Sequence, residues 1–215
     1  MKINARLSAM AAVWLIIGAP SALAASDTEL TVTGFITPGA CEPNLSANGI
    51  VDYGDVPLTQ LDPGKPTWLP PVTLQMTITC EEKTKYALMP RDNRPEGQPY
   101  SAYNGFGLTM FAPDIPIGAY FLSVPTPPLA DGVPIGRLYS VNNGDSWLPV
   151  EPFELLKPDT LSAFGTYTGS DTAPTPIKEL ILPLELSTLI YQTRDLPVTE
   201  KTPIDGSATF ELIYL

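Results

Sequence analysis

The sequence predicts an all-β protein, an antiparallel β-sandwich with long Pro-rich loops. Three observations carry that expectation. Apolar and polar residues alternate with a period of two, most cleanly in Val72-Thr73-Leu74-Gln75-Met76-Thr77-Ile78-Thr79-Cys80, which gives one strand a dry face and a wet face. Of the 25 prolines, 24 lie beyond residue 25, and proline both lacks an amide donor and clashes inside a helix, so long helices are disfavoured. Turn signals separate nearly all the apolar segments, leaving about eight to ten short strands, as in a sandwich.

Residues 1–24 stand apart from the rest. Lys2 and Arg6 give a positive start, Leu7 to Gly18 is uncharged and mostly apolar, and Ala22-Leu23-Ala24 places small residues where a signal peptidase cuts. The run is too short and too interrupted, by Gly18, Pro20 and Ser21, to span a bilayer, so it reads as a secretory signal peptide. Its removal takes two basic and no acidic residues and moves the net charge from −11 to −13. Export in turn predicts that Cys41 and Cys80, the only two cysteines, are joined in a disulfide.

The strands expected after the signal are Glu29–Ile36, which Pro38-Gly39 ends, then Val72–Cys80, Lys85–Met89, Phe106–Phe111, Ala119–Val124, Ile135–Val141, Leu161–Thr168, Glu179–Leu186 and Ala208–Tyr214. Leu58–Pro71, Pro90–Tyr103 and Pro125–Pro134 read as long loops. Cys80, the last inward residue of its strand, puts the disulfide in the core.

Composition excludes much chemistry. With no histidine there is no His-dependent triad, no His-ligated metal and no imidazole base, and two thiols alone cannot make a structural zinc site. The acidic balance excludes a nucleic-acid partner, which needs clustered Lys and Arg. Glu81 and Glu82 are neighbours on a strand and point to opposite faces, so they cannot converge on one glycosidic bond. No metal, no cofactor and no catalytic residue is expected.

The C-terminus carries the most information. Ala208, Phe210, Leu212 and Tyr214 share one face of a strand that runs to the end of the sequence. Two readings are open: an ordinary buried strand, or a strand beside a groove that another polypeptide fills by strand addition.

Several motifs occur together: Gly34-Phe35-Ile36-Thr37-Pro38-Gly39-Ala40-Cys41, then Asp52-Tyr53-Gly54, a second cysteine 39 residues after the first, Pro203-Ile204-Asp205-Gly206-Ser207-Ala208-Thr209, and a terminal strand with a penultimate Tyr. In this order they resemble fimbrial subunits of the chaperone–usher type, and more narrowly a set of fimbrial-type proteins of Gram-negative bacteria catalogued as a domain of unknown function. The resemblance covers nearly the whole chain after residue 24. It implies an incomplete immunoglobulin-like sandwich of the pilin type over residues 33–215, lacking one strand. Cys41 and Cys80 would be the pilin disulfide, and Ala208, Phe210, Leu212 and Tyr214 the face recognised by a periplasmic chaperone and then by a donated strand. The implied partners are that chaperone, an outer-membrane usher and other fimbrial subunits, with a place on the cell surface in a fimbria and a part in cell adhesion. The family's donor strand would fall in residues 25–32, with Thr28, Leu30 and Val32 on one face. This stretch is short and only modestly apolar, so either the donor strand is brief or Leu30 and Val32 belong to the domain and the subunit does not donate.

Ser140, Asn142, Gly144 and Trp147 fit an Asp-box hairpin with Asn in the Asp place, and Asn143-Gly144 is a strong turn signal in its own right. A sialidase would need several copies on a longer chain, so the motif is expected to fold a turn. A host or surface glycan held on Trp147, or on Tyr100 and Tyr103, is the expectation of a competing reading, a self-contained secreted β-sandwich that binds carbohydrate. A secreted hydrolase is the third and weakest reading.

Overall fold

The computed structural model describes residues 31–33, 40–97, 104–151, 154–168 and 171–215. The chain divides into two units, residues 1–36 and 37–215. In the first unit Val32 is irregular and exposed, whereas the signal segment 1–24, Thr28, Leu30 and most of the expected strand Glu29–Ile36 lie outside the described residues.

Nine principal strands build the second unit: β1 (Cys41–Leu45), β2 (Val72–Thr84), β3 (Tyr86–Asp92), β4 (Gly118–Ser123), β5 (Gly136–Ser140), β6 (Leu161–Thr168), β7 (Asp171–Pro174), β8 (Ile177–Ile190) and β9 (Ala208–Tyr214). All pairings are antiparallel and form two principal sheets, the all-β sandwich that the alternation predicts. One sheet has the order β1–β2–β8–β4, followed by the short strand Leu155–Leu156. The other runs from Leu148–Pro149 through β5, β6 and β3 to β9, with β7 folded back on β6.

Alternation becomes layering on β2 and β8. Leu74, Met76, Ile78 and Cys80 are buried between exposed Thr73, Gln75 and Thr79, and Leu180, Leu182 and Leu184 of β8 are fully buried opposite them. They meet Leu122, Leu88, Phe164 and the stacked rings of Phe106 and Tyr120, 5.1 Å apart, in the main core. The outward face of the second sheet carries a smaller cluster of Ala87, Leu138, Leu161 and Ala163 under Trp147 and Ile213. Buried Arg137 of β5 crosses between the sheets, donating from Nη2 to the carbonyls of Glu154 (2.8 Å) and Leu155 (3.3 Å). Burial lowers its pKa to about 10, so it stays charged at neutral pH.

Several boundaries differ from the sequence expectation for identifiable reasons. β8 runs on to Ile190 through Ser187-Thr188 because buried Thr188 accepts a hydrogen bond from the Tyr53 hydroxyl, 3.1 Å away. β3 runs past Met89 through Pro90. The carbonyl of Pro90 accepts from the Asp159 amide, so its missing donor falls on that flank and not on the β9 ladder. The single strand expected at Phe106–Phe111 is two short ones, Phe106–Gly107 and Met110–Ala112: the Leu108 amide still follows the ladder to Gly118, but that of Thr109 turns to Asp205. The Leu58–Pro71 loop holds the short strand Thr67–Trp68, paired to β8. Cys41 begins a strand, Cys41–Leu45, that the sequence reading did not assign.

The expected loop Pro125–Pro134 contains a hairpin, Leu129–Ala130 against Val133–Pro134. Its turn is Asp131-Gly132, with φ of 50° and 81°, the positive values a two-residue turn requires. The Asp131 carboxylate accepts from the amides of Lys178 (3.1 Å) and Glu179 (2.9 Å) and pairs with Lys83 at 2.8 Å, clamping the hairpin to the bulge where β8 and β2 change register.

Two outcomes follow for stability. The Cys41–Cys80 disulfide joins residues paired across β1 and β2 with a sequence separation of 39. Its reduction should cost about 4 kcal/mol by loop entropy, read as a lower denaturation midpoint with dithiothreitol than without. The lysine and the two amides hold the Asp131 pKa below its ordinary value, so its stabilisation is present above the unfolded pKa and is lost as pH falls through the folded one. The stability gap between wild type and Asp131→Asn should therefore be constant near neutrality and close on acidification, measured by urea titration across pH.

Candidate functional site

β9 ends the second sheet. One flank pairs with β3 over its whole length, from Ala208 opposite Asp92 to Tyr214 opposite Tyr86. Polar clips reinforce that seam: Asn93 Nδ2 donates to the Ser207 and Thr209 hydroxyls, both at 3.0 Å, and Arg91 bridges Glu211 and Asp159. On the other flank no ladder partner occurs among the described residues. The chain's own backbone comes close only upstream, where Gly206 bridges Leu108 and the Asp205 carbonyl accepts from Thr109.

Three other margins carry proline, Pro43 in β1, Pro174 in β7 and Pro149 in the strand beside β5, and the one at Leu155–Leu156 is only two residues long. β9 has no proline, no lysine and no break in register, and Glu211 is its one charge. Among the described residues its free flank is therefore an open row of amides and carbonyls.

Ala208, Phe210 and Leu212 point toward the main core yet are only partly buried, whereas Ile213 packs on the smaller cluster. Tyr214 departs from its three companions. It is 42% exposed, and its hydroxyl accepts a hydrogen bond from the Cys41 amide at 3.0 Å. That contact brings the start of β1, margin of the first sheet, to the end of β9, margin of the second. Toward the opposite ends of these strands a cavity of about 220 Å³ lies between Leu45 and Val51 on one side and Ala208 and Phe210 on the other, over Leu74, Leu122 and Leu184. A second cavity of about 420 Å³ shares Val51, Tyr53 and Ile204 with it and prolongs it. An open strand flank beside exposed core side chains can accept one extended peptide, with backbone bonds to β9 and alternate side chains in the gap.

The residues of the Asp-box-like motif form a hydrogen-bonded turn. The Ser140 hydroxyl donates to Asn142 Oδ1 (2.8 Å) and accepts from the Gly144 amide (2.9 Å), while Asn142 Oδ1 accepts from the Ser146 amide (3.1 Å). Asn143 and Gly144 take φ of 56° and 92°, and Trp147 lies on the smaller cluster. Tyr100 and Tyr103 lie outside the described residues, as do the donor candidates Thr28 and Leu30; Val32 makes no strand. Among the described residues no cluster of acids and cysteines has the geometry of a metal site, and no helix is long and apolar enough to cross a membrane.

Sequence reasoning found β9 and the disulfide but missed Leu45, Val51 and Ile204 across the gap. The Pro203-Ile204-Asp205-Gly206 stretch carried a signal, an apolar residue just ahead of a strand.

Residues 30–120, a stretch that includes both cysteines and reaches β4, match the family described as a protein of unknown function, DUF1120. The protein GltF of Escherichia coli (strain K12) is 42% identical over 86 residues, 37% of this chain and 34% of GltF. The uncharacterized protein YhcF of the same strain is 27% identical over 227 residues, covering 92% of this chain and 94% of YhcF, so the likeness extends over almost the full length of both.

Proposed function

We propose that this protein is a non-enzymatic structural subunit of a fimbria or fimbrial-like surface fibre, with an immunoglobulin-like sandwich completed by a strand that another polypeptide supplies. In this reading a periplasmic chaperone first covers the free flank of β9. An outer-membrane usher then passes the subunit to the fibre, where a neighbouring subunit's segment replaces the chaperone and the fibre contributes to cell adhesion. The observation that carries the reading is the flank of β9 that has no ladder partner among the described residues, beside the gap lined by Ala208 and Phe210. An exposed edge of this kind pairs with other chains unless it is capped, so a dedicated cap explains why the sequence leaves it bare.

The test is a donor strand fused through a flexible linker after Leu215. A segment of alternating apolar residues should raise the melting temperature by about 10 °C or more, because its local concentration is high and it binds only the folded state. The same fusion on a Phe210→Lys background should give no comparable rise. An unchanged melting temperature in the unmutated protein would sink the proposal. Fusing residues 25–36 of this chain instead reads whether its own N-terminal segment donates: a rise of similar size marks a subunit that continues a fibre, and none marks a terminal or accessory one.

A further inference from the structure

The outward face of the first sheet, opposite the core, carries side chains that a solvated sheet face does not need. Register places Trp68, Leu189 and Ala119 in one row across three strands, with Ser187 beside Phe121 in the next. On β2 the same face carries Thr73, Gln75 and Thr79. Trp68 is 57% exposed, and its ring lies 5.5 Å from that of Phe121 at 51°. Together they floor an open hollow of about 1320 Å³, the size of a site for an extended ligand rather than a single small molecule. Its rim is polar: Lys65, Asp114, and the Gln192 amide donating to Asp195 at 2.6 Å.

The chemistry of the hollow selects its occupant. A donated strand is excluded because Leu189, at the centre of the floor, has ladder partners on both sides, leaving no backbone row to read. An anion faces two rim carboxylates on a chain of net charge −11, and a hydrocarbon tail leaves the rim unused. A pyranose presents an apolar C–H face to aromatic rings and hydroxyls to carboxylate, amide and ammonium groups, matching floor and rim together. We infer that this hollow binds a neutral oligosaccharide, with Trp68 and Phe121 as the stacking platform. The site is separate from the gap beside β9, so it neither needs nor supports the strand-acceptor reading.

The experiment uses the exported protein purified from the periplasm, titrated with cellohexaose, maltohexaose, mannohexaose and laminarihexaose while tryptophan emission and calorimetric heat are followed. Sialyllactose and a proline-rich peptide serve as the anionic and peptidic probes. At least one neutral hexaose should bind and shift the emission. Trp68→Ala and Phe121→Ala should each weaken it by about tenfold or more with the thermal unfolding transition retained, while Trp147→Phe binds as the wild type does. Should Phe121→Ala not fold, Trp68→Ala with Ser187→Arg, which fills the floor from the surface, decides the matter. Absence of binding by every neutral hexaose, undiminished binding by Trp68→Ala, or preference for sialyllactose or the peptide would each overturn the inference.

Discussion

The fold depends on the pairing of β2 with β8, two long strands that share a register from Glu179 to Leu186 and put their apolar residues on the same face. Every other element is placed relative to that pair. β1 is added to one side and locked there by the disulfide, while β4 and the Asp131-Gly132 hairpin share the other. Pro183 is tolerated within β8 because its outer flank, between the stretches claimed by the hairpin and by β4, has no ladder partner among the described residues. The second sheet is held by the core that the first presents, and by Arg137, whose guanidinium ties β5 to the backbone entering Leu155–Leu156.

A sandwich built outward in this way has margins, and their treatment differs from strand to strand. Proline blunts several, while β9 receives elaborate polar fastening on its β3 side and, among the described residues, no ladder partner on its free side. Such asymmetry is costly for a chain that has to stay unaggregated alone, and it makes sense where a second polypeptide is always at hand. The likeness to DUF1120 and to YhcF is compatible with that view and names no function of its own.

Much of this was legible in the sequence. β6 and β9 occupy the residues the sequence assigns them, both being strand-forming runs between turn signals, with strict alternation at Ala208, Phe210, Leu212 and Tyr214 of β9. The Asp131-Gly132 hairpin was also readable, as an Asp-Gly pair between apolar residues, but the surrounding prolines hid it within a loop. Extension of β8 was not readable, since Ser187-Thr188 looks like a stop until Tyr53, 135 residues away in sequence, supplies a hydrogen-bond partner. The hollow floored by Trp68 and Phe121 was beyond reach for the same reason. Trp68 sits in a two-residue strand that no periodicity can detect, and only lateral register brings it beside Leu189. Trp147, singled out from the sequence, packs on the smaller cluster instead.

The hydroxyl of Tyr214 rests on the amide of a residue whose own position is fixed by a covalent bond to β2. Thiol oxidation and the seating of the terminal segment are therefore mechanically linked, because the covalent bond reinforces the β1–β2 ladder that keeps this amide where the phenol reaches it. Without the covalent bond the ladder alone anchors that amide, and the end of β9 is seated the less firmly.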